Sequence, residues 1–168
     1  MNNVAEADLP TRYDPKTAEP KWQQRWESEG TFVHAPGEES FTIDTPPPTV
    51  SGKMHIGHAY SYAQQDFYAR FHRMRTGGKV FFPFGTDDNG LPTERLVEKL
   101  KSVKSTRMSR ADFTKLCFDT IKEIKPDFVS DWKRLGMSCD FNSTYSTIDP
   151  HCQATSQASF IDLYEKNR

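Results

Sequence analysis

Hydrophobic residues follow two different spacings along the chain, and their alternation predicts an α/β protein. Residues 41–45 form a strand-like run, and residues 59–75 then carry aromatic and methionine side chains at helical spacing. Residues 79–84 are almost continuously apolar, which is typical of a strand that is buried on both faces. Strand, helix and strand in this order predict a βαβ unit with parallel strands and a right-handed crossover.

A further helix is predicted before the first strand, over residues 15–27. Asp14 is a suitable N-cap, and Pro15 suits the first helical position because its missing N–H would have no partner there. Trp22 and Trp26 are four residues apart and share a face, so we expect both to pack on the rest of the domain. A loop covering residues 30–39 should connect this helix to the first strand.

The second half of the chain predicts three helices and one short strand. The helices are expected at residues 92–102, from 109 to about 136, and from 150 to the last residues. The short strand is expected within residues 141–148. Ser109 and Asp112 resemble a capping box, Pro126 should break or kink its helix, and Asp149 should cap the last one. Only two or three strands are predicted. An open parallel sheet usually has more, so the sheet is expected to be incomplete.

Composition and charge restrict the class of protein. The 168 residues suit one domain with a real core, and no apolar run is long enough to cross a membrane. The 22 Lys and Arg residues are balanced by 23 Asp and Glu residues, which does not favour a self-sufficient nucleic-acid-binding protein. Residues 1–10 do not resemble a signal peptide, and the three cysteines show no disulfide pattern. These features predict a cytoplasmic protein with no membrane partner.

Candidate chemistry is concentrated in residues 46–58, which read Pro-Pro-Pro-Thr-Val-Ser-Gly-Lys-Met-His-Ile-Gly-His between the first strand and the helix. The prolines keep the chain extended, while Gly52 and Gly57 allow a ligand to approach the backbone. A helix that begins near Gly57 directs N–H groups and its positive dipole end at the same space. His55 and His58 add two imidazoles that can donate hydrogen bonds to phosphate oxygens. The segment predicts a polyphosphate site.

Other interpretations of the two histidines are a surface or interior pair without function and a metal site. A metal site is not favoured because Cys117, Cys139 and Cys152 are far apart in sequence and lack Cys-x-x-Cys spacing. We therefore predict no metal ligands in the chain.

A second candidate segment, residues 85–94, follows the second strand. Ligands of open α/β sheets bind at the carboxyl ends of the strands, where this loop and the 46–58 segment are both expected. Asp87 and Asp88 could accept hydrogen bonds from an ammonium group. The alternative is an ordinary Asp/Asn/Gly loop in which Pro92 starts the next helix. Together the two loops predict a site for a nucleotide on one side and a small amine on the other.

These segments carry a family resemblance. The tetrad His-Ile-Gly-His at residues 55–58 resembles the signature of class I aminoacyl-tRNA synthetases. The longer string 46–58 is similar to the valine-specific branch, and residues 85–94 are similar to archaeal-type members of that branch. The helices near residues 13–26 and 161–166 are also similar, so the resemblance spans nearly the whole chain.

The resemblance implies a domain organisation. Residues 41–168 would form the first half of a Rossmann-like catalytic domain, and residues 1–40 an amino-terminal extension of helix and loop. An editing insertion would follow Arg168, and the second signature, Lys-Met-Ser-Lys-Ser, would lie further on. The string Thr-Arg-Met-Ser-Arg at residues 106–110 comes too early to be that signature, and Ser109 has a sufficient role as N-cap. The chain is therefore expected to be an amino-terminal fragment that is inactive alone.

The resemblance also implies a valine–tRNA ligase that uses ATP with its Mg²⁺, valine and tRNA(Val) and acts as a monomer. By motif match, His55 and His58 would be catalytic. The implied ATP-binding residues are Gly52, His55, Gly57 and His58. The implied amino-acid-binding residues are Pro47, Pro48, Thr49 and Asp87, with Asp87 on the ammonium group of valine.

Three alternatives remain open at the level of sequence. One is the isoleucine or leucine enzyme, although residues 49–51 favour valine. Another is a small nucleotidyltransferase with a His-x-Gly-His motif, although such proteins usually carry the motif close to the amino terminus and without a proline triplet. The third is a binding module without catalytic activity.

Overall fold

The computed structural model describes residues 12–37, 40–77 and 79–168. The helices are α1 (Pro15–Glu29), α2 (Ile56–Thr76), α3 (Leu91–Lys101), α4 (Arg110–Arg134) and α5 (Pro150–Glu165), with a 3-10 turn at Ser105–Arg107. The strands are β1 (Phe41–Thr42), β2 (Val80–Phe81), β3 (Pro83–Thr86) and β4 (Asp140–Ser146). Residues 1–11, which include the segment tested for a signal peptide, lie outside the described part of the chain, as do residues 38 and 39 of the predicted loop.

The strands are parallel, as the βαβ pattern predicts. β1 pairs with β2, β3 pairs with β4, and Thr49 forms a parallel bridge with Asp87. Because β2 and β3 are successive parts of one segment, residues 80–87 run between residues 41–50 on one side and β4 on the other. β1 is shorter than the predicted strand 41–45. Pairing resumes only at Pro48, whose carbonyl accepts from the N–H of Asp87, because the prolines cannot donate to a neighbouring strand.

Gly85 allows β3 and β4 to lie side by side. It is paired in register with Tyr145. A Cβ atom at this position would overlap the Tyr145 ring. The glycine therefore makes room for an aromatic side chain that lies across the neighbouring strand.

A continuous hydrophobic core joins the strands to α2 and α4. Its buried members are Val50, Ala69, Val80, Phe82, Phe84, Phe128, Trp132, Met137 and Cys139. Trp132 is completely buried and its ring lies against those of Tyr62, Phe84 and Phe128, with centroid distances of 4.5, 6.0 and 6.0 Å. The residues with near-continuous apolar character in the sequence, 79–84, supply its centre.

The amino-terminal helix begins as predicted but packs through only one of its two tryptophans. The Asp14 carboxylate accepts from the N–H of Lys16 at 3.2 Å, and Pro15 occupies the first turn. Trp26 packs on Phe32 with ring centroids 5.4 Å apart. Trp22 remains 43% exposed, so the expectation that both rings are covered is wrong. The helix contacts α4 through Gln23 and Glu27, which both reach Lys133.

Two expectations about helix ends and breaks are corrected in the second half of the chain. α4 continues through Pro126, so the helix does not break there, because buried side chains on both sides of the proline, such as Ile121 and Phe128, hold it in place. The expected kink stays a prediction. Asp149 precedes α5, but its carboxylate accepts from the N–H of Ser146 at 2.8 Å and makes no cap bond to the first turn of the helix.

The predicted domain boundary at residue 40 stays a prediction. Helix α1 contacts the α/β part of the chain through its side chains. Gln23 donates to the carbonyl of Lys133 at 3.2 Å, and Lys133 pairs with Glu27 at 2.8 Å. Across residues 12–37, 40–77 and 79–168, no helix combines the length and apolar character that a membrane span requires.

Candidate active site at the carboxyl ends of the strands

The two candidate segments meet at the carboxyl ends of the parallel strands, as the topology predicts. The backbone of residues 48–50 pairs with Asp87, through N–H to carbonyl distances of 2.9 Å in both directions. On the other side, the N–H of Thr147 donates to the carbonyl of Thr86 at 3.1 Å. We call this group of residues, 48–50, 87 and 147, the carboxyl edge of the sheet.

His55 is the N-cap of α2. Its Nδ1 accepts from the N–H of Gly57 at 3.1 Å, so one of the free N–H groups expected at this helix start is occupied by the imidazole. An imidazole whose Nδ1 accepts a hydrogen bond carries its proton on Nε2. The exposed His55 ring is therefore oriented as a donor through Nε2.

Gly57 is required for this arrangement. A Cβ atom on residue 57 would lie 3.1 Å from both Cε1 and Nδ1 of His55. That distance is tighter than an ordinary van der Waals contact, so a larger residue would push the imidazole away from its cap position.

His58 lies one turn later and stacks on His55. The ring centroids are 3.8 Å apart and the planes differ by 19°. Burial lowers the pKa of His58 below its ordinary value of 6.5, and the neighbouring His55 lowers it further. Its Nδ1 is buried and has no hydrogen-bond partner among the described residues. His58 is thus a neutral imidazole at pH 7 with an unused polar atom.

Tyr62 connects α2 to the proline segment. Its hydroxyl donates to the carbonyl of Pro46 at 2.5 Å, and its ring meets Trp132 edge-on. Burial, with smaller contributions from Tyr145 and Cys139, raises the pKa of Tyr62 to about 12, so the hydroxyl remains a donor at any physiological pH. This contact fixes the proline segment relative to the two histidines.

Asp87 is held by two hydroxyl groups from opposite sides. Thr49 donates to its Oδ2 at 3.0 Å and Thr147 donates to its Oδ1 at 3.1 Å. No Lys, Arg or His of the described residues forms an ion pair with it. A carboxylate has about four acceptor positions, so this half-buried group keeps part of its accepting capacity.

Asp88 differs from its neighbour because an ammonium group of the protein itself already pairs with its carboxylate. It is 4% exposed. Its Oδ2 pairs with Lys125 at 2.9 Å and also accepts from the hydroxyls of Thr86 and Ser146. A buried carboxylate needs such partners, so Oδ2 of Asp88 is used by the fold, whereas its buried Oδ1 has no hydrogen-bond partner among the described residues.

The other predicted residues lie around these groups. Pro48 is buried and Pro47 is half-buried beside Thr49, so these three residues form one continuous wall with Asp87. Gly52 is exposed in the turn that leads to His55, and its backbone has open space around it. The structure therefore forms two groups, one at Asp87 and one at the histidines, joined by residues 51–54. The roles assigned to these residues stay predictions.

Three residues of the site escaped the sequence analysis, namely Tyr62, Trp132 and Thr147. Tyr62 and Trp132 are indistinguishable from ordinary core positions in the sequence. Thr147 follows a strand, and its approach to Asp87 depends on how β3 and β4 pair. In residues 12–37, 40–77 and 79–168 there is no group of three or more His, Cys, Asp or Glu side chains that could hold a metal ion.

The string at residues 106–110 has a local structural role. Residues Ser105–Arg107 form the 3-10 turn, and Ser109 caps α4 by accepting from the N–H of Asp112 at 3.1 Å. This agrees with the capping role predicted for Ser109.

Comparison with known proteins identifies relatives. Residues 21–168 match the family described as tRNA synthetases class I (I, L, M and V). The valine–tRNA ligase of Rickettsia rickettsii (strain Sheila Smith) is 46% identical over 162 residues, which cover 95% of this chain and 20% of that protein. The valine–tRNA ligase of Haloarcula marismortui is 45% identical over 161 residues, which cover 95% of this chain and 18% of that protein.

A solved structure is similar as well. The Agrobacterium radiobacter K84 agnB2 LeuRS, in a ternary complex with tRNA and LeuAMS, has a TM-score of 0.68 and 28% identity, over 93% of this chain and 18% of that chain. This similarity confirms the predicted α/β fold with parallel strands and an incomplete sheet. The chain spans about a fifth of the length of the valine–tRNA ligases that it matches. The match over residues 21–168 shows that the chain belongs to the class I tRNA synthetases.

Proposed function

We propose that these residues form the amino-terminal part of the catalytic domain of a valine–tRNA ligase, with residues 1–40 as its extension. The observation that carries the proposal is the carboxyl edge. There Asp87, a carboxylate without a cationic partner among the described residues, is paired through its backbone with residues 48–50, which lead directly to two stacked imidazoles, one with an unused buried nitrogen. The identity of 44–46% to valine–tRNA ligases supports the same activity.

The proposed reaction has two steps. A carboxylate oxygen of valine forms a bond to the α-phosphorus of ATP, and the bond from that phosphorus to the bridging oxygen breaks, so that pyrophosphate leaves. The terminal adenosine hydroxyl of tRNA(Val) then attacks the carbonyl of valyl-adenylate, losing its proton, and AMP leaves. Neither step requires a covalent bond to the protein, so the protein contributes positioning and charge stabilisation.

In this proposal the two histidines lie at the phosphate groups of ATP. Nε2 of His55 carries a proton and points away from the cap, so it can donate to a phosphate oxygen. His58 is kept neutral by burial and by His55, so the stacked pair avoids two positive charges at 3.8 Å. Gly57 permits the close fit of His55, and Gly52 leaves the approach to the backbone open. The Mg²⁺ that accompanies ATP belongs to the substrate in this proposal.

Asp87 serves the amino-acid side. Its two hydroxyl contacts orient the carboxylate without neutralising it, and the ammonium group of valine would supply the missing positive charge. Pro47, Pro48 and Thr49 would form the wall beside the substrate. A charged group held by neutral donors is suited to the reversible binding of a cationic ligand.

The partners and location are part of the same proposal. The related LeuRS structure contains tRNA, which supports tRNA as a partner here. We further propose a monomer in the cytoplasm, which agrees with three free cysteines. The archaeal-type assignment within the valine branch stays a prediction.

The proposal is tested by amino-acid-dependent exchange of pyrophosphate into ATP, measured on the full-length protein that carries these residues. We expect exchange with valine and much weaker exchange with isoleucine or leucine. Exchange that depends on isoleucine or leucine alone would contradict the valine assignment. Exchange without any amino acid would favour a nucleotidyltransferase. The 168-residue chain alone is expected to show little or no exchange.

A further inference from the structure

We propose that Thr147 is a positioning residue for amino-acid recognition, because it fixes the orientation of the Asp87 carboxylate. This inference rests on the proposed function and adds a residue to it. Thr147 lies directly after β4, on the strand that flanks Asp87 on the side opposite Thr49.

The hydrogen bonds of Thr147 permit only one arrangement. Its hydroxyl oxygen accepts from the N–H of Asp88 at 3.1 Å and from the side-chain amide of Asn89 at 3.0 Å. A threonine hydroxyl has two acceptor positions and one proton. Both acceptor positions are used, so the single proton is directed at Oδ1 of Asp87, 3.1 Å away. The carboxylate is an acceptor only, which excludes the reverse direction.

This arrangement orients Asp87 in a way that Thr49 alone does not. The Thr49 hydroxyl holds Oδ2 at 3.0 Å, and a carboxylate held at one oxygen can still rotate about its Cβ–Cγ bond. The second hydroxyl holds the other oxygen, so the plane of the carboxylate is set from both neighbouring strands. The remaining acceptor positions then point in fixed directions, which pre-organises the group for an ammonium ion.

The backbone of Thr147 is itself fixed. Its N–H donates to the carbonyl of Thr86 at 3.1 Å, which continues the pairing of β4 with β3. Asp88, the next residue after Asp87, is anchored by Lys125 and Ser146. The hydroxyl therefore has little freedom to leave Asp87. Its loss should change the KM for valine rather than the KM for ATP.

The test compares three substitutions in the full-length protein by steady-state pyrophosphate exchange. Thr147→Val keeps the shape and removes the hydroxyl. Thr147→Ser keeps the hydroxyl. Thr144→Val makes the same change at an exposed position of β4. We expect Thr147→Val to raise the KM for valine about tenfold, the scale of one lost hydrogen bond to a charged group, with the KM for ATP unchanged. Thr147→Ser should restore the KM for valine, and Thr144→Val should not change it.

A coupling experiment separates positioning from a general structural role. In an Asp87→Asn background, Thr147→Val should have little further effect on the KM for valine, because its partner charge is already gone. Thr147→Ala, which adds no second methyl group, provides the same comparison if the valine variant fails to fold.

Two results would overturn the inference. One is an unchanged KM for valine in both hydroxyl-free variants. The other is a parallel rise of the KM values for valine and ATP that persists in the Asp87→Asn background. Absence of any valine-dependent exchange in the unsubstituted protein would instead overturn the proposed function, and this inference with it.

Discussion

The two ends of the parallel strands use polar side chains in opposite ways. At the amino end, Asp66 accepts from Arg70 at 2.7 Å and from both the N–H and the hydroxyl of Ser138 at 2.6 Å. Asp140 accepts from the N–H of His34 and the hydroxyl of Ser143. At the carboxyl edge, by contrast, Asp87 keeps accepting capacity, and His58, in the first turn of α2 that follows this edge in the chain, keeps an unused nitrogen.

The amino end uses its polar groups within the fold, whereas the proposed function assigns those of the carboxyl edge to ligands. At Asp140, burial alone would raise the pKa, but hydrogen bonds from His34, Ser143 and Asn142 outweigh it, and the pKa of this carboxyl is lowered. Such a group contributes stability above its ordinary pKa of 3.8, and this stability is lost as the pH falls through its folded-state pKa. The amino end is therefore a structural network.

Asp87 and Asp88 place the same contrast in two consecutive residues. Asp88 is buried and pairs with Lys125 at 2.9 Å, whereas Asp87 is half-buried and is held only by hydroxyl groups. Identical side chains thus differ in role because successive residues of an extended segment point to opposite faces. A position in the sequence does not distinguish them.

The largest expected effect on stability comes from breaking the network at the amino end. Asp66→Ala leaves Arg70 and the buried N–H of Ser138 without their partner, and we expect it to lower the free energy of unfolding by about 3 kcal/mol. Urea unfolding of the chain, followed by tryptophan fluorescence, measures this. The matched control is Asp162→Ala, which removes an exposed pair with Lys166 and should cost at most about 0.5 kcal/mol. Equal losses in the two variants would contradict the structural role of the amino end.

A substitution at the site should separate activity from stability. Gly57→Ala gains about 1 kcal/mol of helix propensity but displaces His55 from its cap, which costs about 1 kcal/mol. We expect a free energy of unfolding close to that of the unsubstituted chain, and a rise of severalfold in the KM for ATP in the full-length protein. A loss of stability with an unchanged KM for ATP would instead mean that Gly57 serves the fold.

The smallest expected effect concerns pH. Because the folded-state pKa of His58 lies below 6.5, the unfolded chain binds more protons in this range, and stability falls as the pH drops below 6.5. Replacing the imidazole by the neutral amide in His58→Gln should reduce this pH dependence in urea unfolding between pH 7 and 5. His151→Gln, at an exposed position of α5, should not reduce it. The same slope in both variants would exclude His58 as its source.

Much of the fold follows from local patterns in the sequence. The helical spacing of apolar residues in 59–75 indicates a helix with one buried face. The continuous apolar run 79–84 indicates a strand with two buried faces. Together they predict the βαβ unit. Deviations arise where tertiary contacts decide. α4 continues through Pro126 because buried side chains on both sides hold it. Trp22 is 43% exposed, and α1 contacts α4 through Gln23 and Glu27 instead.

The site is predictable to the level of its motifs but not of its hydrogen bonds. The string at residues 46–58 and the loop at 85–94 indicate both halves of the candidate site, because their glycines and prolines identify turns in the sequence. The partners of Asp87 and Asp88 come from β4 and α4, and no local pattern shows which aspartate meets Lys125 and which meets Thr147. The cap bond from Gly57 to His55 is likewise a matter of side-chain geometry.

The most direct test of the division between ligand binding and fold is a paired measurement on Asp87→Asn and Asp88→Asn. The KM for valine in pyrophosphate exchange is measured on the full-length protein, and urea unfolding on the chain. Asp87→Asn should raise the KM for valine at least about a hundredfold, the scale of a lost charge-assisted contact, with nearly unchanged stability. Asp88→Asn should lower the free energy of unfolding by about 2 kcal/mol or more, because Lys125 loses its buried partner, with a smaller change in the KM for valine. The same pattern in both variants, or the reverse assignment, would contradict the account.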